Sequence, residues 1–240
     1  MKFLICFLLI SISLSASPQQ QEDKGTGKKV HSFPLIIRGL GSSFQQFDGL
    51  NSRIANLTQY EKLRNDAAVI SLGWLKEKHR FISIAGITAG STMSGHQDKK
   101  SSSIRYLGFN ADLGYNLFKS EKIMLYPLAG LGFQQYQAIF YKDNSGVNFD
   151  DVLQSTALQN SISSVKVNNA FFVYRLGFGV TVKFPKCPSG SIGIQAGYTG
   201  SFKKNNWRSN ESQVLNNAPE DKVSQFHVSL IFINKPWMMK

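Results

Sequence analysis

Residues 169–183 read NAFFVYRLGFGVTVK, and their alternation decides the fold. The even positions are Ala170, Phe172, Tyr174, Leu176, Phe178, Val180 and Val182, while the odd positions between Phe171 and Lys183 include Arg175, Gly177, Gly179 and Thr181. Successive side chains of an extended chain point to opposite faces, so the segment has one apolar face and one mixed face of small or polar groups. The last apolar stretch repeats the design, with Phe226, Val228, Leu230 and Phe232 opposing Gln225, His227, Ser229 and Ile231. Strands of this kind suit a barrel with lipid outside and a narrow interior.

Similar stretches recur outward from this one, at 33–40, 67–75, 80–89, 104–117, 122–140, 191–202 and 223–233. That makes eight predicted strands. The connectors between them alternate. Polar segments at 41–66, 90–102, 141–167 and 203–221 are long, whereas Lys76-Glu77-Lys78-His79, Phe118-Lys119-Ser120-Glu121 and the Pro/Gly turn around Cys187 are tight. Long loops on one side and short turns on the other, with an even strand count, are the pattern of a transmembrane β-barrel. A soluble sandwich or ligand-carrying barrel does not require it.

Composition agrees. The 240 residues are 42% hydrophobic and 18% charged, which argues against a disordered chain. Twenty glycines, eighteen phenylalanines and 12% aromatics favour strands over a helical bundle. No run of about 20 apolar residues is present, which excludes a helical membrane protein, and the mean hydropathy is −0.17. Leu-Gly-aromatic recurs as Leu72-Gly73-Trp74, Leu107-Gly108-Phe109, Leu113-Gly114-Tyr115, Leu131-Gly132-Phe133 and Leu176-Gly177-Phe178. Each puts Leu and the ring on one face and glycine on the other, where it eases curvature and leaves room in a tight barrel. No GxGxxG opens a helix, so these glycines do not read as a nucleotide site. Pro34 and Pro127 fall near strand starts, where a missing N–H donor is tolerable.

The N-terminus carries an address. Met1 and Lys2 precede an apolar run, and Ser13 and Ser15 supply small residues at −3 and −1 of a cleavage after Ser15. The signal peptide is drawn as 1–17, a periplasmic tail as 18–30, the barrel as 31–237 and a C-terminal tail as 238–240. Cys6 lies within the apolar run, so export leaves Cys187 alone and no internal disulfide is expected. No CxxC or HExxH spacing occurs and the four histidines are scattered, so neither a metal nor a cofactor is expected.

Over Val30 to Trp237 this pattern resembles the small eight-stranded outer-membrane β-barrel proteins of Gram-negative bacteria. The resemblance implies an all-β, eight-stranded antiparallel up-and-down transmembrane β-barrel in the outer membrane. Both termini and the short turns would then be periplasmic, with the long loops outside. Such chains end on an aromatic residue read by the assembly machinery; here residues 234–240 follow the last strand, and Phe232 or Trp237 would take that place.

The charges are sorted by this topology. Net charge is +12, yet the long loops are close to neutral and the excess lies at the short turns and termini: Lys76, Lys78, Arg80, Lys119, Lys122, Lys183, Lys186, Lys235 and Lys240. A basic collar beside periplasmic phospholipid headgroups accounts for it, with simple solubility as the alternative, and nucleic acid is set aside. Arg38, Asp112, Arg175 and His227 are expected on inward parities, where Arg38 or Arg175 would pair with Asp112 in a side-chain-filled lumen.

Catalysis is not expected. His227-Val228-Ser229 has the His-x-Ser spacing of lipid A deacylase barrels, but both side chains point to the lumen and no acidic residue follows. In the first long loop, Phe47, Leu50, Ile54, Leu57, Tyr60 and Leu63 recur at helical steps, with Asp48 or Asn51 as cap. This short helix either lids the barrel or meets a partner. The expected role is structural or partner-binding, with outer-membrane lipid around the wall and a protein partner at the outer loops or periplasmic face. The alternatives are a lipid-modifying barrel enzyme and a soluble secreted barrel carrying an apolar ligand.

Overall fold

Strands with one apolar and one mixed face can satisfy every backbone group by closing into a ring, which leaves no open edge. The computed structural model describes residues 34–95, 99–118, 120, 122–184 and 187–236. The signal peptide, the tail 18–30, Lys119, Lys186, Trp237 and the tail 238–240 lie outside the described residues.

The chain runs as β1 (Leu35–Gln45), α1 (Asp48–Ala55), β2 (Asp66–Lys78), β3 (Phe81–Gly95), β4 (Ser101–Tyr115), β5 (Ile123–Tyr141), α2 (Phe149–Gln154), α3 (Thr156–Ile162), β6 (Val165–Phe184), β7 (Cys187–Ser201), β8 (Asn205–Asn206), β9 (Arg208–Ser209), β10 (Glu220–Asp221) and β11 (Ser224–Asn234). Eight long antiparallel strands, β1–β7 and β11, pair in chain order, and β11 closes on β1. The two-residue strands lie on the long-loop side, β9 pairing with the start of β6 and β8 with β10. The predicted eight-stranded up-and-down ring with a helix after the first strand is the observed fold.

Parity organises the wall. Even residues of β6 from Phe172 to Val182 face out, while Phe171, Val173 and Thr181 are buried. In the Leu-Gly-aromatic repeats Leu72, Trp74, Leu107, Phe109, Leu131, Phe133, Leu176 and Phe178 are all exposed. The outer surface is therefore apolar around the ring.

The structure differs from the sequence expectation at two connectors. The segment 90–102, expected as a long loop, is mostly strand, because β3 runs to Gly95 and β4 begins at Ser101. Thr92, Ser94, Ser101 and Ser102 are buried ladder positions: Ser94 and Ser102 both donate to the Lys62 carbonyl at 2.8 Å, and Ser103 donates to the Thr92 carbonyl at 2.8 Å. Serines that satisfy each other inside a rim look like loop residues in sequence. The first tight turn sits two residues later than expected, at His79 and Arg80, with φ of 50° and 72°. Two left-handed residues give the hairpin twist that matches the strands. Arg80 offsets their strain by donating to the carbonyls of Asn116 (2.9 Å) and Leu117 (2.6 Å) and lying 4.7 Å over the Tyr115 ring.

Glycine matters most where a tyrosine lies flat against the inner wall. Tyr126 is fully buried opposite Gly179, and a Cβ there would run into its ring. Replacing Gly179 with Val should cost about 1–3 kcal/mol by overpacking. Urea titration in detergent micelles, read by the mobility difference between folded and unfolded bands, measures it; an unchanged midpoint would show that the ring moves aside freely.

Candidate functional site

The inner face divides into three tiers. At the short-turn end Ile37, Leu75, Ile82, Ile84, Tyr126, Leu128, Ile231 and Ile233 form an apolar plug. At the long-loop end a second apolar cluster joins Val69, Ile104, Tyr106, Tyr136, Phe140 and Phe171 to Phe47, Leu50, Ile54, Leu63 and Trp207 from the loops. Between them lies a polar belt holding Asp112, Arg175, His227, Gln195, Gln225 and Ser229.

The belt is built around one ion pair. Arg175 Nε lies 3.1 Å from Asp112 Oδ1, and Asn110 Nδ2 donates to Asp112 Oδ2 at 2.7 Å. Asp112 sits on β4 and Arg175 on β6, so an entire strand separates them. The register explains how they meet: Asp112 and Arg175 both stand opposite Gly130 of β5. A Cβ on Gly130 would collide with Asp112 Oδ1 and with the Ala111 carbonyl at 2.5 Å. The pair thus reaches across a glycine. His227 uses the same device, since its register partner is Gly197, where a Cβ would come within 2.9 Å of His227 Cε1.

Above the pair, amides and phenols form a chain. Tyr136 donates to Gln134 at 2.9 Å, Gln134 to Gln225 at 3.2 Å, and Gln225 to Gln45 at 3.1 Å. The space left in the belt is a cavity of about 40 Å³ lined in part by Arg175, His227, Thr199 and Ser229, room for a water or so. His227 and Ser229 both line this small space inside the ring.

Arg38 is a correction. It is exposed on the outer face of β1, opposite Leu72 and Phe232, because the buried residues of that strand are the odd ones, Ile37, Ser43 and Gln45. Residues 33–40 are apolar on both parities, so the stretch itself carried no alternation to assign the face. Asp112 therefore pairs with Arg175, and Arg38 takes no part in the lumen.

The mouth on the long-loop side is covered by α1. Leu50 and Ile54 are buried, and Phe47 meets Tyr136 and Trp207 edge-on at 5.1 and 5.5 Å. Neither Asp48 nor Asn51 caps the helix. Asn51 instead accepts from the Leu63 N–H at 2.9 Å and folds the end of the loop back. The capping acceptor comes from the last loop: Asp221 takes N–H bonds from Gly49 (2.8 Å) and Leu50 (2.9 Å), and Trp207 Nε1–H at 2.7 Å. A carboxylate at a helix N-terminus also meets the positive end of the helix dipole. Burial raises the Asp221 carboxyl above its ordinary range, against the pull of Trp207, Gly49 and Leu50. Sequence reading missed this latch because Asp221 is remote in the chain from the helix it caps; the buried Trp207 nearby is its only local sign.

No protein-family model matches the chain, and no curated protein matches it. Solved structures do. The attachment invasion locus protein Ail of Yersinia pestis, solved alone and with the heparin analogue sucrose octasulfate, is 15% identical over 83% of this chain and 97% of its own, with TM-scores of 0.44 and 0.45. Neisserial surface protein A is 10% identical over 85% of this chain and 97% of its own, with a TM-score of 0.47. Eight strands in up-and-down order with an apolar outer face are the fold of the small outer-membrane barrels.

Two predictions follow from the belt and the latch. Asp112→Ala strands a buried guanidinium and should cost about 3–5 kcal/mol, whereas a paired Asp112→Leu, Arg175→Met exchange should recover most of that loss. Urea midpoints in micelles decide it, and an undisturbed single variant would show the pair to be solvated. Asp221→Ala should leave the barrel intact while proteolysis of 46–65 speeds up, since removing the acceptor leaves three donors without it, at about 1–3 kcal/mol for each that water cannot reach.

Proposed function

We propose that the chain is an integral outer-membrane barrel that acts from its surfaces and does not conduct through its lumen. The observation that carries this reading is the doubly closed bore: a polar belt with about 40 Å³ of free space between two apolar clusters, with α1 over the mouth. The apolar outer wall supports a lipid surround, since a soluble carrier would not leave Leu40, Phe44, Ile70, Trp74, Leu113 and Phe226 exposed. Exposed Lys76, Lys78, Lys122, Lys183 and Lys235 at the short-turn end support the placement of that end in the periplasm, beside anionic headgroups. Arg38 fits the same picture, for its long stem lets the charge reach toward that headgroup level.

Work at the outer surface falls to the long loops. The segments 142–164 and 202–223 leave Phe149, Leu153, Val214 and Leu215 exposed, and neither α2 nor α3 buries a residue. Apolar side chains held out on loops support a protein partner at that face. No catalytic role is assigned, because His227 and Ser229 lie in the closed belt.

The test has two arms. Reconstituted in planar bilayers, the chain should give no stepwise conductance; steady channels would overturn the closed-lumen reading. On intact cells, added protease should cut within 142–164 and leave the barrel, recognised by its heat-dependent gel mobility. Recovery in the soluble fraction with no mobility change would overturn the membrane reading itself.

A further inference from the structure

The outer wall carries a groove near the short turns. On the short-turn side, across β2, β3, β4 and β5, lies an open groove of about 620 Å³, within the size range of ligand pockets. Its floor and sides come from Phe81, Leu113, Tyr115, Pro127 and Ala129, and Lys76 and Lys78 stand along one edge.

The groove exists because the wall lapses there. The β4–β5 ladder ends at Gly114 opposite Leu128 and is rejoined only by Leu117 N–H donating to the Leu125 carbonyl at 2.8 Å. Opposite the lapse stands Pro127, which has no N–H to offer, and Asn116 turns to the Arg80 carbonyl of the neighbouring turn instead (2.8 Å). One wall of the groove is braced, with Arg80 over Tyr115 and Tyr115 edge-on to Phe81 at 5.3 Å. Charge is sorted along the edge by strand parity: Lys76 and Lys78 are exposed on the outer face, while Glu77 between them turns inward and accepts from Asn116 Nδ2 at 3.1 Å. An apolar slot ending at two cations, with the intervening carboxylate taken away, is complementary to a molecule with a long apolar tail and an anionic head.

We infer that this groove holds one anionic diacyl phospholipid of the periplasmic leaflet, an acyl chain lying across Leu113, Pro127 and Ala129 and the phosphate beside Lys76 and Lys78. The inference rests on the outer-membrane reading above, and deepens it by turning a general basic collar into one defined lipid site.

Native mass spectrometry of the full chain released from nanodiscs of equal parts phosphatidylglycerol and phosphatidylethanolamine tests it. The wild type should retain one phosphatidylglycerol in preference to phosphatidylethanolamine, on the order of tenfold for two lysines at the headgroup level. Lys76→Gln with Lys78→Gln should abolish the preference. Ala129→Phe, which fills the slot, should abolish retention of either lipid. Lys183→Gln with Lys235→Gln removes two collar cations elsewhere and should change nothing. Each variant is first shown to keep heat-dependent mobility. Equal retention of the two lipids by the wild type, or equal losses in both lysine pairs, would overturn the site while leaving the membrane barrel standing. Failure of the wild-type chain to enter nanodiscs at all would overturn both.

Discussion

An eight-stranded ring encloses a bore that only side chains and a few waters can fill, and most of what distinguishes this chain answers that constraint. Each inward position must be an apolar group that packs, a polar group that is satisfied, or a glycine that yields its space to a neighbour. Apolar and polar choices alternate in tiers along the bore. Apolar residues close the short-turn end, an ion pair and amides occupy the middle, and aromatics meet the loops above. The middle tier depends on Gly130, because a charge pair between β4 and β6 can form only if β5 contributes no side chain between them. Buried charges are weak sources of net stability but severe penalties when parted, so a register that separated Asp112 from Arg175 would be strongly disfavoured.

The closure at the top is of a different kind. Helix α1 is only two turns long and would not hold in isolation. It is held by Leu50 and Ile54 packing into the mouth, by Asp221 at its N-terminus, and by the Lys62 carbonyl tied to Ser94 and Ser102 on the rim. The first and last loops, neighbours on the rim because β1 pairs with β11, are thereby bound to each other, so the lid is continuous with the fold and is more than a flap hinged on one strand.

The fold was legible in the sequence because period-two alternation is a local property that an apolar outer face and a tight bore enforce on every strand. Residues 169–183 and 223–233 state it without ambiguity, and the parities of Asp112, Arg175 and His227 follow. Arg38 failed for the same local reason, since 33–40 is apolar on both faces and parity had to be borrowed from elsewhere in the strand. The serines of 90–102 misled because hydrogen-bonded polar positions inside a rim have loop composition. What sequence could not show is pairing at a distance. The choice of Arg175 over Arg38 for Asp112, and of Asp221 over Asp48 for the helix cap, depends on register across several strands. Pro127 lay between these cases: its place near a strand start was visible, but the lapse it faces in the neighbouring ladder was not.

Register also tells where this molecule can do work. A barrel strand addresses two environments, and moving one residue along it changes which environment a side chain meets. Lys76, Glu77 and Lys78 illustrate the rule within three residues, two cations going out and one carboxylate going in. Applied around the whole ring, the rule gives the inward address to a bore that side chains nearly fill, where His227 lines a small space together with Asp112 and Arg175. Chemistry that the bore cannot host must be placed on the outward address or on the loops. The outward face is largely apolar, with Arg38 and Arg105 among its exceptions, and is grooved where Pro127 and two lysines meet, and the loops are where unpacked apolar side chains remain. Those two places, one at each end of the barrel, are where a search for partners should be directed.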